Sequence, residues 1–155
     1  MAAYPIVLFL HSWVRWLVLL SGVGALATFW RGALAEQRFA VAESRAMRLF
    51  LGVLDTQVLL GSLLYFVFSP LGLPRAGDFS MVMKNTVLRY FAVEHWFGML
   101  MALVAAHGLW VWAKRGPVER RRTRALWAVG VTLLLIVAMI PWPGTPYGRS
   151  LFRLP

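Results

Sequence analysis

Four apolar stretches partition the chain, each about as long as a helix needs to cross a bilayer, roughly 20 residues. They run from about Pro5 to Trp30, Leu49 to Phe68, Tyr90 to Ala113 and Thr123 to Ile140, where Pro141 stops the last. A signal peptide is a poor rival for the first stretch. No basic segment precedes it, and His11 and Arg15 interrupt its apolar run. The pattern predicts an all-α integral membrane protein, a four-helix transmembrane bundle forming one domain over residues 1–155. Composition agrees with this. Hydrophobic residues make up 60% of the chain, charged residues 14%, and the mean hydropathy is +0.68, which excludes an ordinary soluble globule.

The net charge of +10 would suggest nucleic acid in a soluble protein, but here the basic residues lie between the apolar runs. Arg31, Arg38, Arg45 and Arg48 follow the first stretch, and Lys114, Arg115, Arg120, Arg121, Arg122 and Arg124 follow the third. Those ten face five on the other side: Arg75, Lys84, Arg89, Arg149 and Arg153. The positive-inside rule then places both termini outside, N-out and C-out. No nucleic-acid partner is expected, because basic residues flanking spans explain the Arg120–Arg124 cluster. The 71–89 loop is expected along the outer interface. The tail from Pro141 to Pro155 is punctuated by Pro and Gly and reads as non-helical, its Trp142, Tyr147 and Phe152 suited to the headgroup layer.

Ionisable residues inside a span are costly, so each is a candidate for function. The first stretch carries His11 and Arg15, the second Asp55 and Gln57, and the third Glu94, His95 and His107. At 1.5 Å per residue, His11 and His95 lie about 9 and 8 Å below the outer face, a shared level on two helices. His107 falls roughly 18 Å deeper than His95 and is turned by about 120°. Two imidazoles from facing helices can take both axial positions of a haem iron. Gly98 and Ala102 would leave room for a porphyrin beneath His95. With no cysteine in the chain, haem b, held without covalent attachment, is the form that fits.

Spacing alone leaves other readings open. Small residues four apart are also how membrane helices pack, and an intramembrane His often only bonds a carbonyl or hydroxyl. A non-haem metal site would use His11, Glu94 and His95. His107 has no histidine at its own depth and is more simply a hydrogen-bonding group. On the second stretch Gln57, Gly61 and Tyr65 form an i, i+4, i+8 stripe, which can line a quinone pocket or join helices. Arg15 and Asp55 both fall near mid-depth and are expected to form an ion pair, with Glu94 nearer the surface and meeting water, Arg89 or a histidine ring.

The stretches LHSWVRW, DTQVLLGSLLYFVFSP, LRYFAVEHWFGMLMA and IPWPG, in that order, resemble small four-span bacterial membrane proteins described as cytochrome b-like. The resemblance implies haem ligation by His11 and His95 and carries no established activity with it; it does not extend to His107. The resulting expectation is a membrane-embedded b-type haem protein that relays electrons near the outer face as a subunit or partner of a redox complex. Arg15 would pair with a propionate or an acid, and Glu94 would support a ligand. No stand-alone catalytic constellation is visible. The alternative is a cofactor-free accessory subunit of a larger membrane complex. Lipid, and either a larger complex or further copies of the chain, are the expected partners.

Overall fold

The computed structural model describes residues 3–35 and 41–152. Arg38 and Arg153, part of the charge count, lie outside the described residues. Every regular element among the described residues is helical. Helix α1 spans Ala3–Leu34, where Pro5 is harmless because first-turn N–H groups have no helical acceptor. Helix α2 spans Val41–Leu63 and widens into a π-helical turn, Leu64–Phe68. It stops at Ser69, whose extended backbone (φ −81°, ψ 134°) is the conformation that the following Pro70 favours.

Two short helices form in the second half of the 71–89 stretch, which the sequence reads as a loop. Asp78 caps α3 (Phe79–Lys84) by accepting from the Met81 amide, and Asn85 caps α4 (Thr86–Arg89) by accepting from Val87 and Leu88. A second π-helical segment, Tyr90–Glu94, joins α4 to α5 (His95–Arg115). Helix α6 spans Val118–Ala138. It starts five residues before the expected span because Pro117 can stand at a helix start and the Glu-Arg-Arg-Arg stretch behind it favours helix. No helix forms from Pro141 to Phe152.

The segments Ala3–Leu34, Val41–Phe68 and Thr86–Arg115 are long and apolar enough to cross a membrane, which marks a multi-pass membrane protein. In the bundle α1 packs on α2, α2 on α5, α5 on α6 and α6 back on α1. The α1 stripe that turns inward is Val18, Gly22, Ala25 and Phe29, at helical spacing. Its Leu17, Leu20, Val23 and Trp30 face outward, as they would toward lipid. Ala102, Ala106 and Ala113 give α5 a small-residue inner face, letting it close on the core of Phe50, Leu54 and Val129.

Candidate functional site

At the end of the bundle where α1 and α5 begin and α2 and α6 finish, the side chains line a partly open cavity of about 140 Å³. His11 of α1, Gln57 and Gly61 of α2, and His95 of α5 all line it. The His11 and His95 ring centres are 6.4 Å apart, with the ring planes at 78°. The equal depth read from the sequence thus becomes a facing pair. Gly61 is what allows His11 its place: a Cβ there would stand 3.0 Å from the ring's Cε1.

His95 is oriented by the end of α6. That helix stops at Met139, so its last carbonyls lack helical donors. The Met139 oxygen accepts from Nδ1 of His95 at 2.7 Å and from the Tyr90 hydroxyl at 2.7 Å. A carbonyl only accepts, so a proton of His95 sits on Nδ1, and in the neutral ring Nε2 keeps its lone pair. Ligating histidines are typically held in this way, by the nitrogen that does not bind the metal. The π-helical segment Tyr90–Glu94 ends immediately before His95 and sets its angular position, as such segments often do at functional sites.

Four buried polar atoms on the cavity residues have no hydrogen-bond partner among the described residues: His11 Nδ1, Arg15 Nε, Gln57 Oε1 and Trp96 Nε1. Buried polar groups left unpaired cost roughly 1–3 kcal/mol each, so these four present hydrogen-bonding capacity that water or a ligand in the cavity would use. Gln57 reaches Nε2 of His11 only at 3.4 Å. Tyr65 stacks on Trp96 with centres 4.9 Å apart and donates its hydroxyl to the Ala92 carbonyl at 2.8 Å. The Gln57–Gly61–Tyr65 stripe therefore both lines the cavity and joins α2 to the start of α5.

The tail closes the site. Tyr147 lies flat on Tyr90, with centres 3.6 Å apart and planes at 5°. Phe152 stacks on Trp16 at 5.2 Å. The Leu151 carbonyl accepts from Nη2 of Arg15 at 2.5 Å and from Nε1 of Trp16 at 3.3 Å. Pro141, Arg149 and Ser150 form part of the cavity wall. Neither the tail nor Trp96 was foreseen in this role. Their signals were the Trp beside His95 and the Pro141 stop, which frees the Met139 carbonyl.

Several expectations are corrected. Arg15 does not pair with Asp55: it binds the tail carbonyl, while Asp55 accepts from Nε2 of His107 at 2.8 Å. Asp55 and Gln57 are two residues apart, about 200° around the helix, so only one of them can face the cavity. Glu94 is exposed and accepts from Arg89 Nε at 2.7 Å, so it supports neither histidine. No cluster of three or more His, Asp and Glu suited to a metal occurs among the described residues, and the His11–Glu94–His95 site does not form. Gly98 and Ala102 leave no porphyrin slot. The Met139 sulfur fills the space over Gly98, and Ala102 is fully buried in the apolar core. No protein-family model matches the chain, and neither a curated protein nor a solved structure matches it.

Proposed function

We propose that the chain is a four-span protein of a bacterial inner membrane, N-out and C-out, that carries a b-type haem between His11 and His95 and relays electrons near the outer face. The observation that supports this is the histidine pair. A metal–imidazole bond of ~2 Å and a ring nitrogen ~1 Å from its ring centre place two rings sharing one iron about 6 Å apart, centre to centre. The centres lie 6.4 Å apart, and His95 already has Nδ1 committed to Met139. The donor set fits iron. Haem, if held by His11 and His95, would supply one-electron transfer. Arg15, half-committed to the tail, and Arg149 offer cations for propionates. Pro141, Arg149 and Ser150 of the tail cover part of the cavity. The short α6, whose first turns carry Glu119 and a run of arginines, is the fourth span, and the protein serves as a subunit or partner of a redox complex. Likeness to the cytochrome b-like proteins belongs to the same proposal.

The size of the cavity favours a second reading. About 140 Å³ is close to the ~150 Å³ known to take a benzene ring, so a macrocycle requires the walls to part. A quinone head group is one such ring with two oxygens. Arg15 Nε–H and Trp96 Nε1–H can donate to its carbonyls, and Gln57 Oε1 can accept from the quinol. Absorbance of the purified protein, oxidised and dithionite-reduced, separates the readings. Haem gives a Soret band and split visible bands on reduction, lost in His11→Ala and in His95→Ala while the helical signal stays. A colourless protein that yields quinone on organic extraction transfers the site to the second reading. A protein with neither, purified and reconstituted with haem or quinone without binding, is a cofactor-free accessory subunit.

A further inference from the structure

The ion pair between His107 and Asp55 lies away from the cavity and closes nothing inside the bundle. It bridges α5 and α2, with about half of each side chain exposed, 48% and 50%. Its depth follows from the basic residues that end the two helices. Asp55 is seven residues from Arg48, and His107 is seven residues from Lys114. Each therefore sits about 10 Å inside the basic rim. In a bilayer with a hydrocarbon core of about 30 Å, that is acyl-chain depth. Intramembrane ionisable residues normally face protein or a water-filled cavity, because exposure to lipid is costly. This pair faces outward.

We infer that the α2–α5 seam is an interface between two copies of this chain. The atoms of the pair argue for a second copy rather than a different partner. Nε2 of His107 is used on Oδ1 of Asp55, which leaves Nδ1 of the imidazole and Oδ2 of the carboxylate each able to take one more hydrogen bond. Neither has a partner among the described residues. A two-fold axis beside the pair sets Nδ1 of one copy against Oδ2 of the other, twice over, and closes a ring of two acids and two histidines. The surrounding surface permits the approach. Gly52 is one turn from Asp55 and Gly108 is next to His107, and each has open space where a Cβ would point. Leu59 and Val104, one turn from the pair, are exposed apolar residues that complete the patch. Small residues beside a polar pair are how membrane helices come close.

The chain contains no cysteine, so the test uses single cysteines in the full-length protein in native membranes. Leu59→Cys and Val104→Cys are placed on the seam, and Leu20→Cys and Leu134→Cys on exposed faces of α1 and α6. Oxidative cross-linking is expected to give a band at twice the chain's mass from at least one seam cysteine and from neither control. Adding Asp55→Leu together with His107→Leu, both changes at exposed positions, is expected to remove that band, while the monomer keeps its helical spectrum. Three outcomes overturn the inference: equal cross-linking at the controls, a seam product of another mass containing a different protein, or a doubled band that survives the double change.

Discussion

Arg122 on α6 holds Glu43 on α2 through two nitrogens, Nε at 2.6 Å and Nη2 at 3.2 Å, with only 15% and 3% of the two side chains exposed. Gly32 of α1 lies beneath them, where a Cβ would come within 2.8 Å of the Glu43 carboxylate. Three helices thus meet on one ion pair at the basic end of the bundle. Removing one partner of such a pair leaves the other charge buried. Glu43→Met is expected to lower stability by about 3–5 kcal/mol. Glu43→Met with Arg122→Met should cost less than the single change, because no charge is stranded. Thermal unfolding in detergent, followed by circular dichroism, measures both.

Gly61 ties helix packing to the site. Gly61→Ala places a methyl group 3.0 Å from Cε1 of His11, so the ring has to move by a few tenths of an ångström. If His11 ligates haem, the reduced spectrum of Gly61→Ala shifts or its pigment content falls. Gly24→Ala is the control, since a Cβ there meets nothing within 4 Å. It should leave the spectrum unchanged and raise helix stability by up to about 1 kcal/mol. Equal spectra for the two variants and the parent would detach His11 from the cofactor.

Depth was legible in the sequence, and direction only in part. His11 and His95 lie equally far from the outer ends of their stretches, and the structure brings their rings together at 6.4 Å, with planes nearly perpendicular. The same dead reckoning put Arg15 with Asp55, because it used level without angle. Asp55 and Gln57 are near-neighbours in depth but opposite in direction, and Gln57 took the cavity side. The 120° turn between His95 and His107 did hold the message that His107 leaves the site. Gly98 and Ala102 were misread because a small residue marks close approach without saying of what; over Gly98 it is the Met139 sulfur. Arg122 was read only as a charge flanking a span. Nothing local distinguishes it from Arg120 or Arg124, and its role depends on Glu43, far away in the chain. The two π-helical turns also shift the angular phase at Tyr65 and before His95.

The tail is held over the cavity by stacking that one substitution weakens. Tyr147→Ala removes the ring lying on Tyr90, an interaction worth about 0.5–1.5 kcal/mol beyond its buried area. If opening is fast relative to cleavage, proteolysis follows the open population. Trypsin should then cut the Arg149–Ser150 bond about 2- to 13-fold faster than in the parent protein. Arg149 itself lies over Phe91, its guanidinium 4.9 Å from the ring centre, and is part of what opens. A cleavage rate unchanged in Tyr147→Ala would mean that Leu151, gripped by Arg15 and Trp16, secures the tail alone.

Orientation gives the last prediction, and the bundle's geometry makes it testable with two residues. Arg31 at the end of α1, Arg45 and Arg48 at the start of α2, Lys114 and Arg115 at the end of α5, and Arg120 to Arg124 at the start of α6 belong to helix ends that meet at one end of the bundle. The Arg122–Glu43 pair over Gly32 ties those ends together. The cavity, the 71–89 segment and the tail occupy the other end. Basic residues in short loops are retained in the cytoplasm, so the cavity end should face outward. Ser80→Cys and Glu119→Cys are exposed positions at the two ends, and the cysteine-free background makes each the sole thiol. In intact spheroplasts a membrane-impermeant maleimide should label Ser80→Cys and leave Glu119→Cys unlabelled until the membrane is broken. The reverse pattern would put the His11–His95 site at the cytoplasmic face. The pair itself would survive that inversion, because α1 and α5 run in the same direction, but any electron donor or acceptor would then be sought on the inner side.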